Sequence, residues 1–113
     1  MASPVSSQMR AKMETNLLRF LCAARSSADA RLRVLLILQN YCWSTPDAAV
    51  FFECIRDLFA CNSQTILANL AATLTRRGFP DMPCEILAKP SKLTSVSALK
   101  LAEKLLHPIK TER

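Results

Sequence analysis

The sequence has little glycine, little histidine and no long uninterrupted apolar run. One Gly among 113 residues cannot build the glycine-rich loop that cradles a phosphate. A single His gives no pattern for nucleophilic catalysis. The longest apolar stretch, residues 32–43, contains Arg33, Gln39 and Asn40, and it falls short of the roughly 18 residues that cross a bilayer. We therefore predict a protein that is not an enzyme, holds no cofactor and has no membrane span.

What the chain does have is hydrophobic and basic content. Half of its residues are hydrophobic, which is enough for a real core, and 113 residues correspond to one domain. Abundant Leu and Ala with one Gly favour an all-α fold over a β-sandwich. The net charge of +6 comes from 15 Lys and Arg against 9 Asp and Glu. That charge favours acidic partners or nucleic acid, although a solvated helix surface explains it as well.

The cysteines indicate an intracellular protein. There are five of them, an odd number, and most lie in apolar helical stretches where a reduced thiol behaves as a small hydrophobe. We expect the cytoplasm or the nucleus. Cys54 and Cys61 share a helix face and Cys84 could approach them, but no Cys-x-x-Cys pair occurs and His107 is far away in sequence. We predict no metal site.

A mitochondrial presequence is the alternative for the first 33 residues, which are rich in Arg and Ser and contain only Glu14 and Asp29 as acids. Removal of that segment would destroy the first copy of the internal repeat described below. A mitochondrial accessory subunit therefore stays the weaker hypothesis.

Hydrophobic periodicity predicts five helices in one domain, at about residues 8–24, 28–42, 46–60, 63–77 and 94–107. A single helical turn is expected near 83–88, with Ile86 and Leu87 against the core. Residues 1–7 and 108–113 are predicted tails, and residues 8–107 the domain. The second helix is apolar over most of its circumference, so we expect it to be central. On the last helix we expect four residues to face inward: Val96, Leu99, Ala102 and Leu106.

Several residues mark the predicted helix ends. Residues 26–29 can cap the second helix, and Thr45-Pro46-Asp47 suits the start of the third. Asn62 or Ser63 is expected to cap the fourth helix, and Gly78 to end it in a left-handed conformation. Pro108 is expected to end the fifth.

Two stretches echo each other, Leu17–Ala24 and Cys54–Cys61, each followed by a short polar link and a second apolar segment. The order resembles armadillo-type and HEAT-type helical repeats, and Leu38-Gln39-Asn40-Tyr41 is similar to the Leu-x-Asn-Leu that closes an armadillo repeat. The resemblance implies two helical pairs plus a C-terminal helix, and a surface for an extended peptide or a partner helix. It also implies that Asn40 contacts the bound peptide backbone; the second copy has Arg76 near the equivalent place.

The apolar excess is the main functional signal, because the second and third helices each carry more hydrophobic faces than a five-helix domain can easily cover. Val50, Phe51 and Phe52 cover a wide arc of the third helix. An uncovered patch there would mark a partner interface, whereas a second central helix would bury it. We predict a non-catalytic interaction adaptor or an obligate subunit of a hetero-oligomer, which binds another protein through apolar helix faces. A six-helix death-fold module is a further adaptor hypothesis that no specific motif supports.

Four arginines carry the competing hypothesis. Arg31 and Arg33 lie near the start of the second helix, and Arg76 and Arg77 end the fourth. They are expected to form a basic rim around the apolar interface. If they instead contact phosphates, the chain is a nucleic-acid-associated helical protein whose binding depends steeply on salt.

Overall fold

The structure is a computed structural model that describes residues 7–23, 27–61, 66–89 and 91–106. Within these ranges the chain is all-helical and contains no strand, so the predicted all-α class is confirmed. All five predicted helices are present, and the predicted single turn forms a short sixth helix. The helices are α1 Ser7–Cys22, α2 Ala28–Ile37, α3 Pro46–Cys61, α4 Ile66–Arg76, α5 Glu85–Ala88 and α6 Ser95–Leu106.

Local capping explains where three helices begin or end. The Ser27 hydroxyl accepts a hydrogen bond from Ala30 N at 3.3 Å, and the Thr45 hydroxyl accepts one from Ala48 N at 3.1 Å. Gly78 has φ +92° after α4, and Phe79 N donates to Leu74 O at 2.8 Å. These bonds satisfy backbone groups that a bare helix end leaves unpaired, so the predicted boundaries hold at these positions.

The second helix is shorter than predicted, because it ends at Ile37 and not near residue 42. The chain then turns tightly, and Tyr41 N donates to Leu38 O at 3.0 Å. The turn brings the Tyr41 hydroxyl within 2.6 Å of the buried Glu14 carboxylate on α1. The local apolar period predicts that the helix continues, because it carries no information about this long-range hydrogen bond.

The helix at the centre of the fold is α1, not α2 as predicted. Helix α1 packs against α2, α3, α5 and α6, whereas the main partner of α2 is α6 and the main partner of α4 is α3. The α1 residues Leu17, Phe20 and Leu21 are completely or almost completely buried. Within the described ranges, the face of α2 that carries Leu32 and Leu36 is exposed.

The last helix is rotated relative to the prediction. Its buried residues are Ala98, Ala102 and Leu105, whereas Val96 is 63% exposed. Leu99 and Leu106 are half-buried. On α5, Leu87 packs into the core as expected, but Ile86 is exposed. Small Ala side chains let α6 approach its neighbours closely, and Leu105 is buried beside them, whereas Leu99 and Leu106 lie nearer the edge of the contact.

Some predictions lie outside the described residues. These are the tails at 1–6 and 108–113, the cap of the fourth helix at residues 62–63, and the helix end at residues 107–108. Residue 7, predicted to belong to the tail, is the first residue of α1. The armadillo or HEAT resemblance stays a prediction, because sequential helix pairs such as α3 and α4 occur in many helical folds.

Candidate partner-binding site

The C-terminal ends of α2 and α6 meet at an open groove. The residues that line this groove, called the α2–α6 groove below, are Leu36, Ile37, Gln39, Asn40, Glu103 and Leu106. The three apolar residues are called its floor below, and the two side-chain amides and the one carboxylate are called its rim. The turn that shortens α2 places Gln39 and Asn40 on the rim, since a longer helix would carry the chain past this point.

Helix α2 exposes leucines beside the groove. Leu32 is 45% exposed and Leu36 is 55% exposed, while Val34 and Leu35 of the same helix are buried. Leu32 and Leu36 are four residues apart and therefore lie on the same helix face, one turn from each other. Two adjacent exposed leucines on one face form an apolar surface that a partner could cover.

Helix α6 contributes a second stripe. Val96, Leu99, Glu103 and Leu106 recur at spacings of three and four residues, so they share one face of the helix. Of these residues, Glu103 and Leu106 line the groove directly. The stripe is apolar except at Glu103, which puts one acidic side chain in the middle of an otherwise hydrophobic surface.

Glu103 is the one charged side chain among the described lining residues, although the whole chain carries +6. None of the ion pairs in the described part of the chain involves Glu103. The C-terminal ends of α2 and α6 add the negative end of each helix dipole. A positively charged group is therefore the favourable neighbour for this part of the surface.

The predicted apolar site on the third helix is largely core. Phe51 is 2% exposed and Phe52 is 3% exposed, so the expectation of an uncovered patch at these two residues is wrong. The Phe52 ring lies 5.0 Å from the Trp43 ring, between centroids, and α1 and α4 cover the helix. Val50 is half-buried against the core. Asn40, predicted from the repeat resemblance, is exposed and lies on the groove rim.

Arg31 is a core residue and does not belong to an exposed basic rim. It is 2% exposed, and its Nη1 donates to Leu21 O at 3.5 Å. Its guanidinium carbon lies 5.4 Å from the centre of the Phe59 ring, which is a cation–π distance. Burial lowers the pKa of Arg31. Arg33, in contrast, is exposed and pairs with Asp29 at 3.3 Å.

The arginines at the end of α4 also have local contacts. Arg77 forms ion pairs with Glu53 at 3.7 Å and with Asp57, and both acids lie on α3. Arg76 Nη2 donates to the Thr73 hydroxyl at 3.4 Å. These contacts tie α4 to α3 and to itself. Because Arg31 is buried while Arg33 and Arg77 are paired with acids, few of these charges face solvent without a partner.

A buried polar cluster supports the turn that carries the groove rim. Glu14 is 2% exposed, and its Oε2 accepts hydrogen bonds from the Tyr41 hydroxyl at 2.6 Å and from Ser44 N at 3.0 Å. Arg10 Nε donates to the Tyr41 hydroxyl at 2.8 Å. Burial, followed by the hydrogen bond to Glu14, raises the pKa of Tyr41 to about 12. Hydrophobic periodicity does not reveal this cluster, because Tyr41 and Ser44 lie 27 and 30 residues from Glu14 in the chain.

Two of the described cysteines behave as apolar core side chains, whereas Cys42 is exposed and Cys84 is half-buried. Cys22 and Cys54 are buried, and burial raises the pKa of Cys22 to about 12. Among the described residues, no group of three or more His, Cys, Asp or Glu side chains is arranged to hold a metal ion. His107 lies outside the described residues. No helix within the described ranges has the length and hydropathy needed to cross a bilayer.

A scan against protein-family models, a search of curated protein sequences and a search of solved structures each gave no match to this chain.

Proposed function

We propose that this chain is a non-catalytic interaction adaptor or a subunit of a larger protein complex, and that it binds its partner through the α2–α6 groove. The observation that supports this proposal best is the exposure of Leu36 at 55% on a groove whose floor is also apolar. Full burial of a leucine is worth about 1.5–3 kcal/mol, so covering Leu32 and Leu36 contributes about 2 kcal/mol to association.

The chemistry of the groove supports binding and not catalysis. Among its described lining residues, Glu103 is the one titratable side chain. General acid–base catalysis places a pair of proton-transferring groups, or one such group beside a nucleophile, at the reacting centre. Leucine, isoleucine and amide side chains instead provide contact area and hydrogen-bond direction, which are the usual contributions of an interface.

Affinity capture with two matched variants tests the proposal. Leu36→Asp introduces a charge into the groove, whereas Leu67→Asp makes the same change at an exposed leucine of α4, which packs on α3. The tagged chain and both variants are captured from nuclease-treated cell extracts, and the bound proteins are quantified by mass spectrometry. We expect a stoichiometric partner with the wild type and with Leu67→Asp, and its loss with Leu36→Asp.

Two outcomes would contradict the proposal. A partner that is retained equally by Leu36→Asp and by Leu67→Asp does not use the groove. Loss of every bound protein after nuclease treatment or a high-salt wash would favour the nucleic-acid alternative, because phosphate contacts weaken steeply with salt. Circular dichroism of each variant separates a loss of binding from a loss of folding.

A further inference from the structure

We infer that the occupant of the α2–α6 groove is an amphipathic α-helix of a partner protein that carries a Lys or Arg opposite Glu103. This inference rests on the proposed function and specifies the partner's shape and charge. Three features support it: the spacing of the apolar residues, the absence of strands from the described ranges, and Glu103 within the apolar stripe, which has no ion-pair partner among the described residues.

The spacing favours a helix over an extended peptide. The stripe on α6 repeats at three and four residues, and Leu32 and Leu36 on α2 are four residues apart. Side chains with this spacing form ridges, and the groove between two such ridges accepts the ridge of a third helix. The part of α6 from Val96 to Leu106 rises about 15 Å, which matches about three turns of a partner helix.

An extended peptide finds little backbone support here, since the described lining offers it two side-chain amides, those of Gln39 and Asn40. Peptides that bind in an extended form commonly pair their backbone with a sheet edge. The described ranges of this chain contain no strand, so they offer no sheet edge at the groove. A helix satisfies its own backbone hydrogen bonds and needs only side-chain contacts from the groove, and apolar contacts are what the floor provides.

Charge decides what flanks the partner's apolar stripe. Glu103 lines the groove, and in the described part of the chain it has no ion-pair partner. The C-terminal ends of α2 and α6 add the partial negative charge of their helix dipoles, which Lys104 in the last turn of α6 partly offsets. Lys100 and Lys104 lie on the flank of the stripe away from Leu106, by their helical spacing. A Lys or Arg on the partner that reaches Glu103 gains an ion pair and avoids burying the carboxylate alone.

Two designed peptides test the inference directly. Each has about 18 residues, a length at which an isolated helix begins to be populated, with Leu at alternating three- and four-residue spacing. One peptide carries Lys beside the Leu stripe and the other carries Glu at the same positions. Binding is followed by methyl NMR of the wild type, of Glu103→Lys, and of Glu85→Lys, a control at an exposed glutamate of α5.

The wild type is expected to bind the Lys peptide about fivefold more tightly than the Glu peptide, with shifts at the methyl groups of Leu36, Ile37 and Leu106. Glu103→Lys should invert the preference, and Glu85→Lys should leave it unchanged. The inference is overturned if Glu103→Lys keeps the wild-type preference, if the shifts occur at Leu67 instead of the groove, or if neither peptide causes shifts at millimolar concentration.

Failure of this inference is distinguishable from failure of the proposed function. If Leu36→Asp abolishes partner capture but Glu103→Lys does not invert the peptide preference, the groove binds a partner of another shape or charge. If Leu36→Asp leaves capture unchanged, the groove is not the partner site and the proposed function itself fails.

Discussion

Stability measurements on two alanine variants should separate the core from the proposed partner surface. Phe51 is 2% exposed and lies within the apolar core, so Phe51→Ala removes a full ring from a packed site. Such truncations reduce the free energy of unfolding by about 3–5 kcal/mol, which lowers Tm by about 12–20 °C in a domain of this size. This large effect would follow from burial and would carry no information about a partner.

Leu36→Ala should behave differently, because Leu36 is 55% exposed. Less than half of the Leu36 side chain is buried, so little apolar burial is lost, and alanine is the better helix former. The expected change in the free energy of unfolding is therefore below about 1 kcal/mol. Urea denaturation followed by circular dichroism at 222 nm, in the far-ultraviolet band of the α-helix, gives both values. Equal destabilisation by the two substitutions would refute the assignment of Leu36 to an open surface.

Three further predictions concern the supports of the fold. Tyr41→Phe should flatten the fall in unfolding free energy between pH 10 and about 12. Burial and the hydrogen bond to Glu14 raise the pKa of Tyr41 in the folded state, so its contribution to stability is complete below pH 10 and is lost as pH rises through the folded value. An unchanged slope in urea titrations would argue against the burial and hydrogen bonding of this hydroxyl. Gly78→Ala should lower the free energy of unfolding by about 1–2 kcal/mol in thermal melts, because Gly78 has φ +92°, a left-handed conformation that is costly for alanine. A neutral result would show that the turn relaxes to another conformation. Arg31→Ala should reduce the free energy of unfolding by about 1–3 kcal/mol because Arg31 is buried, and Arg33→Ala by less than about 0.5 kcal/mol because Arg33 is exposed. Chemical denaturation that gives the reverse order would contradict the burial of Arg31.

The sequence predicted the local features of this fold well. The all-α class, the start of α3 at Pro46 and the left-handed Gly78 follow from composition and from side chains that act within a few residues. The physical reason is that capping and turn chemistry are local, so the residues that cause a helix end stand next to it in the chain.

Longer-range features were beyond a single-sequence pattern. The premature end of α2 depends on Tyr41 reaching Glu14, which lies 27 residues earlier. The apolar content of α2 predicted a central helix, yet the helix at the centre is α1, and Leu36 of α2 is exposed. Hydrophobic periodicity counts apolar faces but does not say which neighbour covers each one.

The candidate site shows the same division. Asn40 was predicted through the repeat resemblance and lies on the groove rim, whereas Leu106 was predicted to face inward and Leu36 was not named as a partner contact. Phe51 and Phe52 were predicted as partner contacts because, with Val50, they cover a wide arc of the third helix. Large aromatic residues also bury the most apolar area in a core. Several helices are about equally apolar, so the sequence does not show which apolar face stays exposed. The packing of α6 on α2 identifies that face.

Site-specific photo-crosslinking in cells tests the central claim most directly. The photoreactive amino acid p-benzoylphenylalanine is placed at the position of Leu36 in one chain and at the position of Leu67 in another. The account predicts a discrete crosslinked protein from the Leu36 position and none from the Leu67 position, because the partner covers the α2–α6 groove and not the exposed face of α4. A crosslink from the Leu67 position alone, or from neither position, would contradict it.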